Sequence, residues 1–182
     1  ITGGAGLIGS NLAHELDKKN YDFIIVDNLW RGKLENLYFD SKPVVDLKNN
    51  FHNLDLSDYK NCLEITKNID LVIHLADVVA GINYVFANEY SLFNKNISIN
   101  TNILNASIKN GVKKYLYVGT ACSYPLELQN KENIIPLKEE EVYPANPESS
   151  YGWSKLMGEY EAELAQKNNL IETGILRLHN VY

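Results

Sequence analysis

The chain has 182 residues, 45% of them hydrophobic, which suffices for one domain with a well-buried core and excludes a disordered chain. Its net charge of −6 argues against a nucleic-acid partner, which would want a basic face. Two cysteines are too few for a disulfide framework, no apolar run approaches the roughly 20 residues that span a bilayer, and no signal peptide precedes the first strand, so a reducing cytoplasm is the expected setting.

The chain opens inside what reads as a first strand, Ile1-Thr2, and runs directly into Thr2-Gly3-Gly4-Ala5-Gly6-Leu7-Ile8-Gly9. A helix is predicted over Ile8–Lys19 and a strand over Tyr21–Val26. A short apolar run, Phe51–Leu54, precedes a helix over Ser57–Lys67, with Ser57 as its N-cap. Leu71–Leu75 is the next strand. A long helix over Glu89–Asn110 ends before Gly111, which suits a helix C-terminus. Lys114–Val118 is a strand. Tyr124–Ser149 carries Pro125, Pro136, Pro144 and Pro147 and reads as a long irregular loop, with the charged run Lys138–Glu141 as a solvated face. Loops of that length in a compact domain are usually functional. A helix over Ser150–Asn168 and a strand over Ile175–Leu178 complete the order. The strands are apolar throughout rather than alternating, as parallel strands covered on both faces are. The predicted class is therefore α/β, a Rossmann-type doubly wound parallel sheet with helices on both faces and ligands at the carboxyl ends of the strands. Residues 1–182 read as one such domain. The chain stops at Asn180-Val181-Tyr182, just after a strand, so it is expected to be the front part of a larger enzyme with a substrate domain following residue 182.

Gly3, Gly6 and Gly9 follow the spacing GxxGxxG between a strand end and an amphipathic helix, the context that a dinucleotide fingerprint demands. The first glycine permits the turn, the second admits a pyrophosphate, and the third lets helix and strand pack closely. Leu7 and Ile8 open the helix whose N-terminus would receive the phosphates. Asp27 ends the next strand, about 20 residues on, where a carboxylate would bind the adenosine ribose hydroxyls and repel a 2′-phosphate. NAD is thus favoured over NADP, with Arg31 and Lys33 close behind as a softening influence. Asp55-Leu56, after the Phe51–Leu54 run, could reach the adenine; aspartate also commonly starts helices.

Tyr151 and Lys155 are one helical turn apart and share a helix face. A free tyrosine titrates near ~10, and a neighbouring ammonium is expected to favour its phenolate, with a positive nicotinamide sharing the task. Such a pair moves a proton while a hydride moves. Thr120 stands after Leu116–Gly119 at a strand's carboxyl end, where its hydroxyl would hold a substrate hydroxyl against Tyr151. Cys122 reads equally as an acid/base thiol, with an ordinary thiol titrating near ~8.5, or as a small buried apolar residue. Cys62 and His74 read as core. His14, His52, His74 and His179 show no ligand spacing, so no metal is expected.

The segments TGGAGLIGS, VDNLWRGKLENL, DLVIHLAD, NKNISINTNIL, GTACSYP, PESSYGWSKLMGE and LRLHNVY resemble those of the extended short-chain dehydrogenase/reductases, the family of NAD-dependent nucleotide-sugar epimerases and dehydratases. The resemblance covers the whole chain. It implies a Ser/Thr-Tyr-Lys triad at Thr120, Tyr151 and Lys155, cofactor contacts at Asn28, Leu75, Ala76 and Asn96 besides the glycine segment, and a substrate contact at Asn180. It also implies a nucleotide-sugar substrate and a homodimer built on the two long helices. Ala121-Cys122 replaces the Asp-Glu pair of sugar-nucleotide 4,6-dehydratases. A cysteine there followed by Ser-Tyr-Pro is similar to the GDP-mannose 3,5-epimerase and GDP-L-fucose synthase branch, in which that cysteine is an acid/base that touches substrate. Asp27-Asn28-Leu29 with Arg31-Gly32 resembles UDP-sugar 4-epimerases instead. A transient oxidation at C4 of a GDP-sugar is the activity that the first resemblance implies. A UDP-sugar 4-epimerase, an NADP-dependent keto-sugar epimerase/reductase and a non-catalytic cofactor-binding regulator are the alternatives.

Overall fold

The computed structural model describes residues 1–129, 136–179 and 181. Its main sheet is parallel. β1 (Ile25–Val26) pairs on one side with β4 (Phe51–His52), and on the other Thr2 bridges it. Thr2 also bridges β5 (Leu71–His74), which pairs with β6 (Lys114–Thr120), which in turn pairs with β7 (Glu172–Leu178). The spatial order is thus β4, β1, Thr2, β5, β6, β7, so the chain works outward from Thr2 in both directions. That reversal opens a crevice at the carboxyl ends on either side of Thr2, where ligands bind in open α/β sheets. A small hairpin, β2 (Tyr38–Phe39) and β3 (Lys42–Pro43), stands apart from this sheet.

Helices cover both faces. α1 (Leu7–Lys18) buries Ala13 in a core with Ile25, Leu37 and Val44. On the other face α2 (Tyr59–Ile65), α4 (Glu89–Lys109) and α6 (Ser150–Lys167) pack side by side. That face holds the largest apolar core, with Val72, Ile103, Tyr115, Tyr117 and Ala162. Glu89 and Lys109 sit at the ends of α4 that favour their charges.

Several boundaries differ from the sequence expectation. β1 is two residues long, because Tyr21 and Asp22 are solvent-exposed and make no ladder. The N-cap of α2 is Asp58, whose side chain accepts from the Lys60 amide, rather than Ser57; Ser57 instead donates its amide and hydroxyl to Asp55. β6 runs two residues past Val118 and so carries Thr120 at its end. A short helix, α3 (Ile82–Ala87), precedes α4. The proline-rich loop contains α5 (Leu126–Gln129) and a 3₁₀ turn over Glu139–Val142.

Candidate active site

A cleft of about 760 Å³ opens at the carboxyl ends of the parallel strands, a size in the range of small-molecule sites. Gly3, Gly6, Leu7, Ile8, Gly9, Asp27, Asn28, Leu56, Leu75, Ala76, Thr120, Tyr151 and Lys155 all line it. The structure therefore brings most of the sequence-predicted residues to one place.

One end is made of backbone. Gly3 has φ +65, a left-handed conformation that glycine adopts freely, and a Cβ there would meet the Ala76 amide at 2.9 Å. A Cβ on Gly9 would collide with the Gly3 carbonyl. α1 has Gly6 at its N-cap, with no side-chain cap and no acidic residue in its first turn. Its first amides and its dipole therefore face the cleft, an arrangement that suits a pyrophosphate. Asp27 is held rigidly beside this bed: Oδ2 accepts from the Ala5 amide at 3.0 Å and Oδ1 from the Leu29 amide at 2.8 Å. The Arg31 guanidinium donates to the Val79 carbonyl at 2.6 Å, and Trp30 lies against Tyr84 with ring centroids 5.7 Å apart. The segment after β1 is thereby clasped to the segment after β5.

The other end is made of charge. Lys155 pairs with Asp77 at 2.5 Å, and the two side chains are 4% and 1% exposed. The ammonium also lies 4.5 Å from the centre of the Tyr117 ring. Thr120 and Tyr151 line the cleft together, and the Thr120 hydroxyl oxygen accepts from the Cys122 amide at 3.2 Å. Cys122 is exposed on the 3₁₀ turn Ala121–Ser123 that follows β6. The lysine was expected to lower the tyrosine's titration point. The structure corrects this: burial, followed by the nearness of Asp77 and Cys122, pushes Tyr151 well above the usual phenol range, and Thr120 opposes that only in part. The Lys155 ammonium is paired with the Asp77 carboxylate rather than standing alone beside the phenol.

Beneath the cleft runs a buried polar chain. The Thr2 hydroxyl meets His74 Nδ1 at 2.7 Å and accepts from the Leu75 and Ala76 amides. His74 Nε2 meets Asn100 Oδ1 at 2.7 Å. The Asn100 amide reaches the Tyr117 hydroxyl, which donates to the Lys155 carbonyl. Burial, with Lys155 adding to it, pushes His74 down to about 3, so it is neutral and serves the core as expected. Cys62 is likewise core, its thiol pushed up to about 12 by burial.

Two predicted cofactor residues stand off the cleft. Asp55 spends its carboxylate on Lys95, at 2.6 Å, and on Ser57. Asn96 is fully buried and clamps Val78, accepting from its amide at 2.7 Å and donating to its carbonyl at 3.3 Å. It shapes the cleft wall from behind. Asn180 lies outside the described residues. Sequence reasoning gave no role to Asp77 or to the Trp30–Arg31 clasp. For Asp77 a signal existed, since an acidic residue a few positions past the carboxyl end of a buried strand points to the crevice. Among the described residues no group of acidic, His or Cys side chains could hold a metal, and no helix is long and apolar enough to cross a membrane.

Fold and cleft together define a Rossmann-type α/β domain with its site at the strand carboxyl ends. The family model for the NAD dependent epimerase/dehydratase family matches residues 1–182. GDP-mannose 3,5-epimerase 1 of Oryza sativa subsp. indica is 35% identical over 182 residues, which are all of this chain and 46% of the relative. Among solved structures, UDP-glucose 4-epimerase of Thermotoga maritima with UDP-glucose superposes with a TM-score of 0.84 at 29% identity, over 100% of this chain and 55% of that one. The Thermus thermophilus UDP-glucose 4-epimerase complex with NAD gives 0.79 at 26% identity, over 97% and 53%. The chain belongs to the NAD dependent epimerase/dehydratase family. It spans about half the length of the curated relatives that it matches.

Proposed function

We propose that the protein is a nucleotide-sugar epimerase that binds NAD in this cleft and uses it for transient oxidation at the sugar C4, with a GDP-sugar as substrate. The single observation that carries the reading is the joining, in one cleft, of a glycine phosphate bed with Thr120, Tyr151 and Lys155. Family membership and the resemblance to both GDP- and UDP-sugar epimerases support it. Asp27 beside the glycine bed supports NAD over NADP, and Arg31 is engaged with Val79 rather than free for a 2′-phosphate.

NAD, when bound, supplies the acceptor and later the donor of the C4 hydride, together with the positive charge of its oxidised ring. The chain's residues do the rest. Thr120 orients the C4 hydroxyl. Tyr151 takes the hydroxyl proton as the C4–H bond breaks and returns it when the bond reforms, so nothing is consumed. The resulting C4 ketone acidifies the hydrogens on C3 and C5. Cys122, two residues beyond Thr120, exchanges one of them with a partner acid in the substrate domain expected beyond residue 182. Lys155 presents its ammonium to the cofactor side of the cleft.

The test is Cys122→Ala in the full-length protein with GDP-mannose in deuterated water. Loss of deuterium exchange at C3 and C5 with C4 oxidation kept is the expected result. Full exchange in that variant would remove Cys122 as the acid/base. Undiminished C4 epimerisation of a UDP-sugar by that variant, with no deuterium entering C3 or C5 in either protein, would favour the second reading, a UDP-sugar 4-epimerase, which needs no thiol; the exposure of Cys122 outside the residues lining the cleft is the observation in favour of it. A cytoplasmic homodimer completes the proposal. The exposed Tyr160 and Leu164 of α6 support the dimer, and two free cysteines suit a reducing compartment. Sedimentation of the full-length protein as a single chain would remove the dimer.

A further inference from the structure

Asp77 follows β5 by three residues and lines the cleft with Tyr151 and Lys155. Its ion pair with Lys155 is almost completely buried. A pair this dry is costly to desolvate and does little for stability that apolar side chains would not do. Its second oxygen, Oδ1, is buried with no partner at hydrogen-bonding distance among the described residues; burial raises the carboxyl's titration point, and Lys155 and the nearby Asn100 oppose it. The carboxylate is therefore placed for Lys155 and for what faces it.

The charged and titratable groups around Tyr151 come from every element packed on it. Lys155 shares its helix, and Asp77 follows β5. Cys122 is on the turn after β6, with Thr120 beside it and Tyr117 on the strand itself. Glu159, further along α6, is neutralised by Arg177 at 2.7 Å. His74 is neutral. Lys155 is the cation among these that could draw the proton from Tyr151, and Asp77 stands against it.

The geometry points to Asp77 as a positioning residue for the proton-transfer pair: its buried carboxylate fixes the Lys155 ammonium in the cleft and cancels most of its charge as felt by Tyr151. The tyrosine then waits for a second cation, the oxidised nicotinamide ring, before it can act as a base. Proton transfer is in this way tied to occupancy of the cleft, which guards the phenol against idle ionisation. The inference rests on the redox reading above.

The test uses the full-length protein, freed of NAD, with its tyrosinate absorbance followed as a function of pH. Subtracting the Tyr151→Phe titration isolates Tyr151 without any turnover. Asp77→Asn should move the Tyr151 step down by about 1–3 pH units, the size of effect expected from a charge at this range. Asp77→Glu, which keeps the charge, should leave the step where the parent has it. An unmoved step in a folded Asp77→Asn protein overturns the inference. If Asp77→Asn fails to fold, Asp77→Glu decides: displacing the ammonium by one methylene should lower the kcat of the NAD-loaded protein about tenfold or more, with NAD affinity and melting temperature kept. A parental kcat in that variant overturns the inference. Failure of the underlying reading looks different, because Tyr151→Phe itself would then turn over normally.

Discussion

In the proposed site the two ends of the cleft would work by different physics. At the phosphate end the working groups are backbone amides, and the glycines matter for the atoms they lack. At the proton-transfer end the working groups are side-chain charges brought from β5, β6 and α6, and what matters is how they balance. The first end should tolerate a changed charge better than an added carbon. The second should tolerate added volume better than a changed charge.

The sharpest way to break that contrast is Tyr151→Phe, which removes one oxygen and no volume. Turnover should fall by about 10²–10⁴-fold, the usual worth of a general acid/base, while NAD binding measured by calorimetry stays near the parental value. An equal loss of both would mean that the phenol is a binding group.

Beneath both ends lies His74, and its effect is on stability. It titrates at about 3 in the fold, against 6.5 ordinarily. The folded state therefore binds fewer protons than the unfolded chain between these values. The stability this confers is present in full above the unfolded value and is lost as pH falls toward 3. Urea unfolding should show a loss of a few kcal/mol across that window, and His74→Gln should flatten the slope.

Gly9→Ala probes the backbone end. The added Cβ meets the Gly3 carbonyl, and overpacking of this kind costs about 1–3 kcal/mol. NAD affinity should drop by about tenfold to a hundredfold, with the Tyr151 titration unmoved. The smallest effect is expected from Arg31→Ala, which opens the clasp to Val79. One lost hydrogen bond of about 1 kcal/mol corresponds to NAD release about fivefold faster, read by stopped-flow fluorescence.

The same contrast governs what could be read from the sequence. Gly3, Gly6 and Gly9 act through local spacing, and Tyr151 and Lys155 are one turn apart on one helix, so both were legible. The strand order was legible in outline, because apolar runs alternate with helical patterns; two-residue β1 and short α3 were not, since tertiary contacts alone fix their ends. Asp77 meets Lys155 across 78 positions of chain, through the β5–β6 pairing and the packing of α6 on β6. Burial of the phenol, with Asp77 beside it, raises Tyr151 where the sequence predicted a lowering. The family resemblance implies a cofactor contact at Asn96, whereas in the structure it grips Val78 and does not line the cleft. Asp55 likewise belongs to Lys95.

The most direct test of the central claim follows the absorbance of reduced nicotinamide after rapid mixing of the NAD-loaded, full-length protein with GDP-mannose, and then with UDP-glucose. A transient rise with one of these sugars, followed by decay as the hydride returns, is the expected result. A flat trace with both, from protein shown to be folded and carrying NAD, would contradict the account.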